Sequence, residues 1–333
     1  MHEFGVMAAR ATRSASRAAA SRCRFLELSH DELDVIFDGL ADPLEPGVAV
    51  ALSSTCLGLR TPLRAALEVL KEQHEQAMEL CDSVLEGGLI TRDELSCSVM
   101  RGAYELNWEL KGLNAWDMWI LGMILGTRGL PKLHHLFLNE NEFGDTGMKA
   151  LCKGLDRGAT PSLMHLDLRE NEFGPAGATA FAAALRRGSL PKLEHLDLGG
   201  NDLNEDNVAA LVATLRKLPC LKTLSFEGCG IGDEGVASLL AGLGKDDFKA
   251  LTYLTLENNQ LTNKSCVSLI SAIKVGCFPG MHSSDDEAGE GIGVRYFIGD
   301  DFHTGRGNPA ASDEAVAAVK AALDEAIAMR ANA

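Results

Sequence analysis

From Leu133 onward the apolar positions of the chain return at a fixed interval. Leu133, Leu136 and Leu138, closed by Asn141, recur as Leu163, Leu166, Leu168 and Asn171, then as Leu193, Leu196, Leu198 and Asn201, each time 30 residues on. Leu221, Leu224, Phe226 and Cys229 follow after 28 residues, and Leu251, Leu254, Leu256 and Asn259 after a further 30. The alternation in Leu136-Phe137-Leu138 has the period of two that a half-buried strand requires. An apolar residue comes next in every copy (Phe143, Phe173, Leu203, Ile231, Leu261), then small and polar pairs such as Gly144-Asp145 and Gly232-Asp233 that suit a turn and a helix N-cap. Met148, Ala150, Leu151 and Leu155 then carry the apolar stripe of an amphipathic helix, as do Val236, Leu239, Leu240 and Leu243. Each repeat thus predicts one strand and one helix, with successive strands parallel. Strands stack about 4.8 Å apart and helices about 8–10 Å, so the stack must bend with its strands on the inside.

The motif Leu-x-x-Leu-x-Leu-x-x-Asn, followed by Leu or Phe and Gly-Asp, at a period near 30 residues, resembles the ribonuclease-inhibitor class of leucine-rich repeats. The resemblance covers about two thirds of the chain. It implies an α/β solenoid, a horseshoe with parallel strands inside and helices outside, and a role in binding a macromolecule. In such an array Asn141, Asn171, Asn201 and Asn259 are scaffold, because a buried amide can satisfy backbone groups of the adjoining loops; Cys229 offers a weaker donor in the same place. The repeats are expected over residues 103–281. Solenoid ends expose a core and need caps. Leu106 and Trp108, with Leu113, Met118, Leu121 and Leu125, fall in register as a degenerate first repeat. At the other end, Asn308-Pro309 with Val316, Val319 and Leu323 suit the turn and helix of a last repeat over 308–333, with its strand at 294–298 or near Met281. Residues 282–307 are rich in Gly and acid and read as a loop; Gly289, Gly291 and Gly293 lack the strand-before, helix-after setting of a dinucleotide site. The whole chain resembles a large set of repeat proteins encoded in algal and protist genomes.

Ahead of the repeats, residues 1–24 hold Arg10, Arg13, Arg17, Arg22 and Arg24 among Ala and Ser, a composition shared by disordered tails and organellar transit peptides. Over residues 25–60, Ser29 and Glu32 make a capping box, and Leu33, Ile36, Phe37 and Leu40 form one helical face. This segment resembles an F-box, the helical module that docks a substrate receptor onto the Skp1-like adaptor of a cullin ubiquitin ligase. The resemblance implies adaptor binding through Leu28, Ile36, Phe37, Leu40, Pro43 and Leu52. The sequence departs from the motif at Ser29, where a proline is usual, and at Glu32, where an apolar residue is usual. The other reading of this segment is a helical lead-in that caps the horseshoe. Residues 61–102 predict a long helix broken at Gly87-Gly88 and a short one opened by the capping box Thr91 to Glu94.

Charge and composition narrow the function. A net charge of −16 disfavours tracking a phosphate backbone and favours a partner with a neutral or basic surface, and no nucleic acid is expected. No apolar run has the length of a membrane span, so no membrane association is expected. Nine cysteines without a CxxC pair point to reduced thiols and a cytoplasmic or nuclear setting, organellar import remaining open through the Arg-rich start. No HExxH, GxSxG or Walker A motif is present, Gly244-Lys245 being followed by Asp246, so neither an enzyme nor a cofactor is expected.

Period-two alternation places three columns of side chains on the inner face, and these are the expected partner-binding residues. They are His135, His165, His195, Thr223 and Tyr253; Phe137, Asp167, Asp197, Ser225 and Thr255; and Asn139, Arg169, Glu227 and Glu257. Three neighbouring histidines beside two aspartates raise zinc as a possibility, but a flat ladder converges poorly on a tetrahedral ion, and a polar recognition surface is the preferred reading. Mutual repulsion among the imidazoles, set against Asp167 and Asp197, also suggests pH-sensitive binding. The functions in contention are an interaction scaffold, an F-box-like receptor, and a GTPase-activating protein of the Ran type. That last family shares the repeats but ends in a long acidic stretch, whereas here Asp285-Asp286-Glu287 lie in a loop.

Overall fold

A computed structural model describes residues 29–54, 59, 63–85, 97–156, 158–203, 205–244, 247–277 and 311–331. Helices α1 (His30–Asp38), α2 (Gly47–Ser54), α3 (Arg64–Leu85) and α4 (Cys97–Gly102) lead in. Strands and helices then alternate: β1 (Glu105–Asn107), α5 (Ala115–Thr127), β2 (His135–Phe137), α6 (Gly144–Gly154), β3 (His165–Asp167), α7 (Pro175–Arg186), β4 (His195–Asp197), α8 (Glu205–Leu215), β5 (Thr223–Ser225), α9 (Gly232–Leu240), β6 (Tyr253–Thr255) and α10 (Asn263–Val275). Helix α11 (Asp313–Ala331) closes the described chain. The strands form an open parallel sheet in sequence order, and each pair is in register one period apart, His135 opposite His165 opposite His195. The expected α/β repeat solenoid with a helical N-terminal region is the fold observed. The sequence segments 1–24 and 282–307, the strand at 294–298, Leu28, Gly87-Gly88, Thr91 to Glu94 and Asn308-Pro309 lie outside the described residues.

Every repeat buries its Leu triplet. Leu133, Leu136 and Leu138 are at most 1% exposed, and so are their counterparts at 163, 166 and 168. They meet the apolar stripes of the outer helices, so one continuous core runs the length of the array. After each strand the chain leaves through a residue with positive φ at one fixed position: Leu110, Glu140, Glu170, Gly200, Gly228 and Asn258. Gly200 and Gly228 adopt it freely, whereas the glutamates carry the cost of a left-handed backbone, about 1 kcal/mol or more each.

The asparagine next to this bend answers for the turn's polar groups. Asn141 donates to the carbonyls of Trp108, Leu138 and Asn139 at 2.8–3.2 Å and accepts from Lys111 and Leu113 N–H. Asn201 donates to Leu168, Leu198 and Gly199 and accepts from Asn171 and Phe173 N–H. Cys229 in the same place donates to the Leu198 carbonyl at 3.2 Å and offers the N–H groups of Asn201 and Gly200 a sulfur, a weaker acceptor than an amide oxygen. The Asn column is scaffold, as its chemistry required.

The Gly-Asp pairs work differently from expectation. Helices α6 and α9 start without a side-chain cap of their own. Asp145 instead accepts from the N–H groups of Gly174 and Gly177, at the start of α7. Asp233 accepts from Thr262 N–H and the hydroxyls of Thr262 and Ser265, at the start of α10. Each aspartate caps the helix of the following repeat, because neighbouring helix N-termini stand side by side. Those hydrogen bonds hold the Asp233 carboxyl below the usual range, against the burial that raises it.

Helices α5 and α6 approach most closely at Gly122 and Gly154. A Cβ built on Gly154 would overlap the Gly122 carbonyl, and one built on Gly122 would overlap that of Ala150. At the far end Val319, Ala322 and Leu323 of α11 join the main core beside α10, and Asn263 accepts from Ser312 N–H. Helix α11 therefore covers the end of the array, as a capping helix should.

The lead-in has two attachments. The later part of α3 (Ala77, Leu80, Cys81 and Val84), together with Leu44 and Met100, belongs to the main core, while Leu33, Phe37, Ala49, Leu59, Leu63 and Leu70 make a small core of their own. Between them sits Asp42, fully buried, which accepts from Arg101 and from Leu44 N–H, with the Arg128 Nε 3.9 Å away. Arg101 also donates to the Gly129 carbonyl, and His74 Nδ1 lies 2.6 Å from the Pro43 carbonyl. The Ser29–Glu32 capping box is formed as expected, and its hydrogen bonds lower the Glu32 pKa.

Candidate functional site

The inner face of the sheet carries the side chains that the Leu triplets leave pointing away from the core. In each three-residue strand the central residue is buried; its flanks are exposed at β1 and half-buried at β2 to β4, while at β5 and β6 only the first flank is half-buried, and strand alternation brings the first two predicted columns together. His135, His165 and His195 form a ladder, with ring centroids 5.9 and 5.3 Å apart. Phe137 lies 4.9 Å from His165, and Tyr104 stacks on His134 at 4.2 Å and approaches His135 at 5.4 Å. His195 Nδ1 meets the Thr223 hydroxyl at 3.0 Å, which links the ladder to β5.

The members of the columns differ in exposure. Asn139, Ser225, Thr255 and Glu257 are buried, whereas Phe137, Asp167, Arg169, Asp197, Thr223, Glu227 and Tyr253 are half-buried together with the three histidines. The fold thus buries four of the side chains that the sequence places on the inner face. Ser225 and Thr255 are short hydroxyls flanked by longer neighbours, and Ser225 also accepts from Glu227 N–H.

The first repeat extends the face, and its residues were missed because it lacks the Asn. Glu105, Asn107 and Glu109 continue the three columns, Glu105 pairing with His135 and Asn107 with Phe137. The signal was present in Leu106, 30 residues before Leu136, which sets the register of its neighbours.

Burial and crowding set the electrostatics. His165 is pushed down to about 4, first by burial and then by the neighbouring imidazoles of His195 and His135, with Asp197 opposing. His195 is also lowered, chiefly by burial. Asp167 is pushed up to about 6, mainly by burial, with Asp197 and Glu109 adding and the Arg169 N–H and guanidinium opposing. The result is a neutral His165 imidazole beside a carboxylate that ionises reluctantly. Among the described residues no group of three or more His, Cys, Asp or Glu is arranged to hold a metal ion. The histidine ladder spreads along the sheet because each member belongs to a different strand.

The residues named for adaptor binding lie elsewhere, in the lead-in. Phe37 is 1% exposed within the small core and Pro43 is buried against α3; Ile36, Leu40 and Leu52 are half-buried. The exposed large apolar side chains of α1 and α2 are instead Val35 and Val48. The described cysteines at 81, 152, 220, 229, 266 and 277 are free thiols, and burial pushes those of Cys152 and Cys229 up to about 12, which makes them poor nucleophiles. Among the described residues no helix is long and apolar enough to cross a membrane.

Four segments of the chain, residues 129–152, 160–182, 189–211 and 217–240, match the family model for the leucine-rich repeat. No curated protein matches the sequence. The matched segments are the β2–α6, β3–α7, β4–α8 and β5–α9 units, and β1–α5 and β6–α10 continue the same register on either side. Sheet, Asn ladder and family match agree that these segments of the chain are leucine-rich repeats.

Proposed function

We propose that this protein is a non-enzymatic interaction scaffold that takes a protein partner of neutral or basic surface on the inner face of its sheet, in the cytoplasm or nucleus, and that its repeats are of the ribonuclease-inhibitor type. The observation that carries the reading is the aligned set of polar and aromatic columns, in register over six strands, that lie outside the Leu core. The near-constant period and the helix in every repeat support the ribonuclease-inhibitor type. The lead-in acts in this reading as the N-terminal cap: Phe37 and Pro43 are spent on its own packing, and Asp42 is committed to Arg101 and Leu44.

A photo-crosslinking residue at position 165, on the inner face, is compared with one at 210, exposed on α8. The proposal expects adducts with one discrete partner from 165 and none from 210. Adducts from 210 alone would refute it.

A further inference from the structure

On the inner face, hydrogen-bond acceptors are in excess. The three columns hold the carboxylates Glu105, Glu109, Asp167, Asp197, Glu227 and Glu257, against one guanidinium, Arg169, already 3.4 Å from Glu140. Asp167 and Asp197 stand directly opposite each other on β3 and β4, about 5 Å apart across the strands. Each uses Oδ1 for the N–H two residues on, Arg169 at 3.0 Å and Gly199 at 2.8 Å. Among the described residues Oδ2 of neither accepts a hydrogen bond. Phe137 flanks Asp167 on β2.

A second, separate observation points to a missing donor. One pleat beyond Phe137, strand alternation puts Asn139 on the same face; it is 2% exposed, and its Oδ1 has no partner. A buried amide oxygen without a donor is unfavourable unless something supplies one. The resident guanidinium does not: Arg169 Nε, next to it across the strands, is itself buried and unpaired.

We propose that this cluster of Asp167, Asp197, Phe137 and Asn139 seats the side chain of an arginine carried on a basic, extended segment of the partner. The proposal rests on the inner face being the binding face and adds what that face reads. A guanidinium is planar, offers N–H groups in a fork to both free carboxylate oxygens, presents its flat face to Phe137, and keeps a further N–H for Asn139. A lysine ammonium is a point charge that cannot reach all of these at once. The pKa of Asp167 is raised first by burial, with Asp197 and Glu109 adding and the Arg169 N–H and guanidinium opposing, and a cation beside the carboxylate favours its ionised form. Seating a cation there expels the proton, so affinity falls as pH drops through about 6, while His165, held to about 4, stays neutral; the other titratable groups of that face are His135, His195, Tyr253 and the carboxylates of Glu105, Glu109, Asp197, Glu227 and Glu257.

The test uses the full chain and a fluorescein-labelled peptide of Gly, Ser and Arg, with companions in which citrulline or Lys replaces Arg. Anisotropy titrations at neutral pH and low salt should give at least about tenfold tighter binding of the Arg peptide than of either companion. The pair Asp167→Asn with Asp197→Asn should abolish that preference. A charge-matched control, Glu68→Gln with Glu79→Gln on exposed positions of α3, should leave it intact. Equal binding of the Arg and citrulline peptides, equal losses in the two double variants, or no binding of the Arg peptide overturns the assignment. Thr223→Trp, a bulky block on β5, separates the two levels. Peptide binding lost with Thr223→Trp but indifferent to the aspartates leaves the inner face standing and removes the guanidinium; binding indifferent to both removes both.

Discussion

Asn141 and Asp42 are both buried polar residues with several partners, one in the repeats and the other in the lead-in. Asn141 answers a demand that returns with every turn of the solenoid, so Asn171, Asn201 and Asn259 do the same work one period on. Asp42 answers a demand that arises once, where Arg101, Arg128 and Leu44 converge between the small core and the main one. The repeats are held by many moderate, equivalent interactions, the lead-in by a few that have no substitute. Damage should therefore spread differently in the two regions.

Breaking the single joint should have the largest effect. Arg101→Leu leaves the Asp42 carboxylate buried with its main partner gone, and should cost about 3–5 kcal/mol. Hydrogen exchange should show the loss concentrated in α1 to α4. Equal loss of protection in α8 and α9 would mean that lead-in and repeats are one cooperative unit.

Asn201→Ala is the matching lesion in the array. It strips donors from three carbonyls and an acceptor from two N–H groups, and should cost about 2–4 kcal/mol in urea unfolding. Exchange should rise around β3 and β4 and leave α1 to α4 protected.

The inner face should show its own pH behaviour. His165 has a folded pKa of about 4 against 6.5, so its contribution to stability is complete above 6.5 and is lost as pH falls toward 4. Asp167 has a folded pKa of about 6 against 3.8, so its contribution is complete below 3.8 and is lost as pH rises through 6. Between 4 and 6 the two slopes oppose each other. Asp167→Asn should raise stability at neutral pH by about 1–2 kcal/mol, allowing for the partial exposure of the carboxylate, and should leave a clear loss of stability on acidification. Parallel pH profiles for the wild type and the variant would contradict this.

The smallest effect sharpens the comparison. Cys229→Asn replaces the weak sulfur acceptor of one rung by an amide oxygen, and should stabilise the array by about 0.5–1 kcal/mol in the same urea assay. A loss would mean that the neighbouring turn has settled around sulfur.

This contrast also explains what could be read from the chain. Five repeats announce themselves because Leu136 and Asn141 meet the same surroundings as Leu166 and Asn171, and repetition separates their signal from chance. The columns follow from strand alternation, but the burial of Asn139, Ser225, Thr255 and Glu257 depends on the reach of neighbouring side chains, which periodicity does not encode. Asp145 and Asp233 were legible as caps but not as caps for the next helix, since that depends on which N-termini lie side by side. Asp42-Arg101 was not legible at all: its partners are 59 residues apart and nothing repeats them.

The capping of one repeat's helix by its predecessor's aspartate gives the array a polarity. A chain emerging from the ribosome N-terminus first already holds Asp145 when α7 needs an acceptor, and Asp233 when α10 does. Trimming the array from its C-terminal side removes only helices that were being capped. Trimming from the N-terminal side takes the donated cap away from a helix that remains, so the two ends of this solenoid are not equivalent starting points for shortening it.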